Sequence, residues 1–125
     1  MSGCLMAGAL AIALGPGQDF ALTWTHSVEK IGWHESWELT PQGLQLTGAA
    51  VRGSGAGMEP GPDARLVDGW LVWEPQLPPI PELVLAASGA TGDGWRLCGT
   101  ECVTLAARAG QPVILKPCPG SSARP

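Results

Sequence analysis

The chain has little charge, few bases and no long hydrophobic run, and each shortage closes off a class of function. Only 14% of its 125 residues are charged, and its seven Lys and Arg are scattered. Binding a phosphate backbone needs clustered bases, so with a net charge of -4 nucleic acid is not an expected partner. No apolar stretch approaches the roughly twenty residues that cross a bilayer. Helical periodicity is missing beyond the N-terminal segment, whereas two-residue apolar alternation recurs. The four cysteines form neither a CxxC redox motif nor a paired zinc pattern.

What is present is punctuation and bulk. The chain holds 18 Gly and 12 Pro, yet it is 45% hydrophobic with six Trp, which argues against disorder. A loop-rich, single-domain, all-β fold satisfies both facts. The expected architecture is a small antiparallel sandwich or partly open barrel of about eight short strands. The expected strands are 20–26, 33–40, 44–51, 66–73, 83–87, 95–98, 103–107 and 113–116, within one β domain spanning 19–117. The connection 75–81 is proline-rich and must run extended. The polar end, 118–125, is expected to be a disordered tail.

The first fifteen residues stand apart in composition. Residues 5–14 form an apolar run of signal-peptide length, and Ala11-Ile12-Ala13 supplies small residues of the kind a signal peptidase accepts. The segment 1–18 is therefore expected to be a signal peptide or a short membrane anchor, which places the chain outside the cytoplasm, in the periplasm or tethered to a membrane. Export permits disulfides. With Cys4 removed, strands 103–107 and 113–116 folded as a hairpin favour a Cys102–Cys118 bridge, with Cys98–Cys118 as the second choice.

The densest chemistry lies in Trp24-Thr25-His26-Ser27-Val28-Glu29-Lys30 and the following Trp33-His34-Glu35-Ser36-Trp37-Glu38. Together they hold both histidines and three of the six tryptophans. Threading three strands against each other, with the turn Thr40-Pro41-Gln42-Gly43, pairs Leu39 with Leu44, Trp37 with Leu46 and Glu35 with Gly48. It also sets Trp24 beside Trp37 and His26 beside Glu35, on one Trp-lined face. Cross-strand neighbours sit about 5 Å apart, so His26 and Glu35 could form a register-fixing polar pair or the polar end of a pocket. Ser27, Glu29 and Lys30 crowd the same loop. Alternation sends His34 to the opposite face from His26 and Glu35, so no metal site is expected, and no cofactor either.

The segment Arg52-Gly53-Ser54-Gly55-Ala56-Gly57-Met58 can present successive backbone N–H groups as an anion-binding nest. It lacks the Gly-Lys-Ser/Thr of a phosphate P-loop, and Pro60 and Pro62 block an immediate helix.

These same residues carry a resemblance. Trp24 to Lys30, Trp33, Glu35, Trp37 and Gly53 to Met58, as spaced here, resemble domain-of-unknown-function family 1850 (DUF1850) from about Phe20 to Leu105. The resemblance implies a small exported or membrane-anchored protein, often encoded beside TAXI-type TRAP transporters that take up organic anions. His26, Ser27, Glu29, Lys30, Glu35, Gly55 and Met58 fall on its motif positions, and it implies no catalytic residue. Two function classes follow. One is an exported accessory or ligand-binding protein that works with TRAP transporter subunits and a small carboxylate. Its candidate ligand-binding residues are His26, Ser27, Glu29, Lys30, Glu35, Trp37, Gly55, Gly57 and Met58. The other is a small hydrolase or lyase with His26 as base and Glu35 as its orienter.

Overall fold

Burial alternates along the strands, as a two-layer β fold requires. The structure, a computed structural model, describes residues 3–25, 32–52, 63–87 and 94–119. In chain order the described strands are β1 (Cys4–Ala7), β2 (Leu10–Ala13), β3 (Asp19–Thr25), β4 (Gly32–Thr40), β5 (Gly43–Arg52) and β6 (Arg65–Val67). They continue as β7 (Trp70–Trp73), β8 (Leu83–Leu85), β9 (Trp95–Cys98), β10 (Cys102–Leu105) and β11 (Val113–Pro117). In β3, Phe20 and Leu22 are buried while Asp19 and Thr25 are exposed. Side chains point to opposite faces with a period of two, so β3 gives one side to the core, whereas the edge strand β6 is exposed throughout.

Two antiparallel sheets result. The larger runs β10-β9-β3-β4-β5-β7-β6 and the smaller β2-β1-β11-β8, and they form a sandwich, not a closed barrel. Between them lie Leu5, Leu14, Leu22, Leu44, Leu85, Leu97 and Leu115, all almost wholly removed from solvent. Burying such a side chain stabilises the fold by about 1.5–3 kcal/mol.

The turn chemistry explains the hairpins. At the β4–β5 turn the Thr40 hydroxyl donates to the Gly43 carbonyl at 3.0 Å and accepts from the Gln42 N–H at 3.1 Å. The expected pairs Leu39–Leu44 and Trp37–Leu46 are present. Glu35, however, pairs with Ala49 and not with Gly48, because a bulge between Ser36 and Trp37 shifts the register. Thr47 is the extra residue, and its hydroxyl donates to the Ser36 carbonyl at 3.0 Å.

The expected strand 66–73 is two strands. Asp68 (φ 49°) and Gly69 (φ 87°) both lie in the left-handed region, which fits the type I′ turn that Asp-Gly favours. β6 and β7 flank it as a hairpin.

The apolar run 5–14, expected as a signal peptide or anchor, is folded into the smaller sheet. β1 and β2 pair from Cys4–Ala13 to Ala7–Leu10, and Leu5, Ile12 and Leu14 are 0%, 6% and 0% exposed. The final strands also differ from expectation. β10 pairs with β9 in the larger sheet, whereas β11 crosses to lie between β1 and β8 in the smaller one. That crossing overturns the Cys102–Cys118 bridge. Cys102 faces Cys98 across the ladder and bonds to it, with Cα atoms 4.0 Å apart. Cys118 bonds to Cys4, with Cα atoms 5.4 Å apart, and its N–H donates to the Cys4 carbonyl at 3.0 Å. Cys118 is thus held at the end of the sheet, and residues 120–125 of the expected tail lie outside the described residues.

Candidate functional site

Seven of the nine candidate ligand residues, His26, Ser27, Glu29, Lys30, Gly55, Gly57 and Met58, lie outside the described residues. The other two, Glu35 and Trp37, face the sandwich interior. Trp37 is 6% exposed, stacks on Phe20 with ring centroids 6.2 Å apart, and donates its indole N–H to Glu35 Oε1 at 3.0 Å. Burial raises the Glu35 pKa above its ordinary value, and the Trp37 hydrogen bond offsets part of that rise.

The expected cross-strand partners are corrected by the register. On β3, Glu35 faces Leu22, Trp37 faces Phe20 and Trp24 faces Trp33. The pair Trp24–Trp37 is therefore not formed, and the cross-strand partner of Glu35 is Leu22, while His26 lies outside the described residues. The strands are slid by four residues relative to expectation. An even slide keeps every side chain on its face, so alternation alone cannot detect it. Trp24 instead stacks on Trp33 at 5.7 Å and packs against Trp95 at 4.5 Å. The Trp95 indole N–H donates to the Ala86 carbonyl at 3.0 Å.

The outer face of the larger sheet has a different character. One row runs across it in register: Thr104, Arg96, Thr23, His34, Ala50, Val72 and Arg65. Directly opposed residues share a face. The next row places Thr25 against Gly32 and Arg52 against Trp70. Gly32 closes the gap between these pairs, since a Cβ there would stand 3.6 Å from the Trp70 ring and 4.0 Å from Arg52 Cβ.

A cleft of about 690 Å³ opens here, lined by Thr23, Trp24, Thr25, Gly32, Trp33, Trp70, Gly94, Arg96, Thr104 and Ala107. Arg96 is its charged side chain, the flanking Thr23 and Thr104 supply hydroxyls, and no carboxylate is among the described lining residues. Arg52 lies over the Trp70 ring at 5.7 Å, which holds a second guanidinium close by. At the rim, Gly94 has φ +75°, and a Cβ there would meet the Leu105 carbonyl at 2.5 Å and Ala107 Cα at 2.7 Å. Only glycine fits that corner. Beyond Trp70 lies a shallower trough of about 400 Å³ lined by His34, Ala50, Val67, Asp68, Trp70 and Val72.

The cleft connects with the sequence motifs through its borders. Thr25 and Gly32, which bracket residues 26–31, both line it, as does Gly94, which follows residues 88–93. Arg52, the last residue before 53–62, pairs with Trp70 in the cleft wall. Arg96 carried no motif signal. Its alternation within β9 was visible, but its place between Thr23 and Thr104 depends on β9 pairing with β3, which no local pattern encodes. Among the described residues, no three His, Cys, Asp or Glu side chains gather closely enough to share a metal ion.

No curated protein and no solved structure matches the chain. A family model, described as a domain of unknown function (DUF1850), matches residues 20–105. That span holds the larger sheet almost entirely and every lining residue of the cleft except Ala107, while β1, β2 and β11 fall outside it. Matched over most of its length by that model, the chain belongs to the DUF1850 family.

Proposed function

We propose that this protein is an exported accessory protein that binds a small organic anion and works alongside a TRAP-type organic-anion transporter. The observation that carries this reading is Arg96, held between Thr23 and Thr104 in a cleft lined by Trp70 and free of described carboxylates. A guanidinium offers a carboxylate two parallel N–H donors, and neighbouring hydroxyls can complete its acceptor shell. Two disulfides, Cys4–Cys118 and Cys98–Cys102, suit an oxidising compartment outside the cytoplasm. The apolar run 5–14 would then stay in the mature chain, since it supplies core leucines.

The hydrolase or lyase alternative rests on a His26–Glu35 pair. Glu35 has Leu22 as its cross-strand partner and accepts from Trp37, and His26 lies outside the described residues. Binding is therefore the favoured class. The test is a thermal-shift and calorimetric screen of small carboxylates, run beside an esterase and amidase panel. Charge-assisted hydrogen bonds are worth about 1.5–3 kcal/mol, so Arg96→Gln is expected to weaken carboxylate binding about ten-fold. Equal binding by wild type and Arg96→Gln would remove the cleft from the site, and turnover of an ester or amide would favour the enzyme.

A further inference from the structure

The cleft at Arg96 and the trough at His34 are two ends of one surface, and they differ in polarity. Both are lined by Trp70, and Thr23 of the cleft is the direct cross-strand partner of His34 of the trough. From His34 onward the row becomes apolar, through Ala50 and Val72. Strands lie about 4.8 Å apart, so Arg96 on β9 to Ala50 on β5 covers roughly 14 Å. We infer that the preferred ligand is an amphipathic monocarboxylate, its head on Arg96 and its aliphatic tail laid across β4 and β5 against Trp70, Ala50 and Val72. This inference rests on the anion-binding reading and adds the ligand class.

Charge sets the direction in which the ligand lies. The cleft end presents Arg96 and threonine hydroxyls, whereas the far end of the trough carries Asp68. A carboxylate head placed beside Asp68 would meet a like charge, and a head at Arg96 would meet an opposite one. Arg65 ends the row on the edge strand but lines neither depression. His34 lines the trough next to Thr23 of the cleft, where head and tail meet. The half-open trough suits a slender chain, which it can cover on one side while Trp70 supplies a flat wall.

Calorimetric titration of the full chain with straight-chain acids from acetate to tetradecanoate, below their micelle concentrations, tests the inference. A fully buried methylene adds about fourfold in affinity at ~0.8 kcal/mol, and a half-covered one about twofold by the same scale. Wild type should therefore bind tetradecanoate about sixteen-fold more tightly than decanoate, since four methylenes at about twofold each separate them and a chain of that length spans the distance from Arg96 to Ala50. Ala50→Asp and Val72→Thr should flatten that gradient. Arg96→Gln should weaken every acid alike. A flat chain-length series with binding still dependent on Arg96 would overturn the amphipathic ligand and leave the anion site standing. A gradient that survives both trough variants would also overturn it, because the tail would lie elsewhere. If no acid binds, or Arg96→Gln changes nothing, the anion reading falls and the ligand class falls with it.

Discussion

Cutting the Cys4–Cys118 bond should be the most damaging single covalent change this fold can suffer. The two cysteines are 114 residues apart, so the bond ties the first strand of the smaller sheet to its last. In the chain-entropy account, closing a loop of about 100 residues withholds about 4.7 kcal/mol of freedom from the unfolded chain. The Cys98–Cys102 bond spans a separation of 4, and the same relation assigns it only roughly 2 kcal/mol. A domain of this size holds about 5–15 kcal/mol in total. Cys4→Ser/Cys118→Ser should therefore lose a third or more of its stability, while Cys98→Ser/Cys102→Ser loses about half as much. The paired strands would remain, because Leu5–Pro117, Met6–Lys116 and Ala7–Leu115 form without the bond. Urea unfolding of both double variants, each beside oxidised wild type, measures the two losses. An equal or larger loss for the Cys98–Cys102 variant, or a loss under about 1 kcal/mol for the other, would refute the loop-closure reasoning.

Leu5→Ala or Leu14→Ala should each cost about 2–5 kcal/mol by opening a cavity in the closed core, and denaturant midpoints would show it. Intact-mass analysis of the mature protein should find both residues retained. Glu35 has a raised folded pKa, so the folded state binds its proton more tightly than the unfolded chain does. Its contribution favours the fold below the ordinary value of about 4.3 and is lost as pH rises through the raised one. Glu35→Gln keeps the acceptor for Trp37 without the charge, so it should raise the melting temperature at neutral pH and flatten the decline above pH ~4.3. A melting profile identical to wild type from acid to neutral pH would contradict that. Gly94→Ala drives a Cβ into the Leu105 carbonyl and the Ala107 backbone at a left-handed φ. It should destabilise the protein by more than about 1 kcal/mol, and calorimetry would detect it.

Much of the fold was legible because alternation and turn residues are local. The all-β class, the β3, β4, β5 and β9 segments, and the pairs Leu39–Leu44 and Trp37–Leu46 all follow from period-two patterning and one four-residue turn. The β6–β7 hairpin was also written locally, in Asp68-Gly69, although alternation on both sides of it reads as one strand. The apolar run 5–14 was ambiguous by nature, since a signal-peptide core and a buried hairpin use the same residues.

The pairing of distant strands was not local, and it decided everything else. Whether β11 folds back on β10 or crosses to β1 depends on which strand edges stand open to pair with it, here those of β1 and β8, a property of the assembled sandwich. That choice alone set the disulfides, giving Cys98 to Cys102 and Cys4 to Cys118. Register behaved likewise, because a slide of four residues preserves each face while moving Glu35 from its expected histidine to Leu22. The residue types of the site, their alternation and their turns were determined by the sequence alone. Only the tertiary structure placed Arg96 between two threonines, because β9 and β3 are some seventy residues apart along the chain and meet through backbone pairing that no short segment specifies.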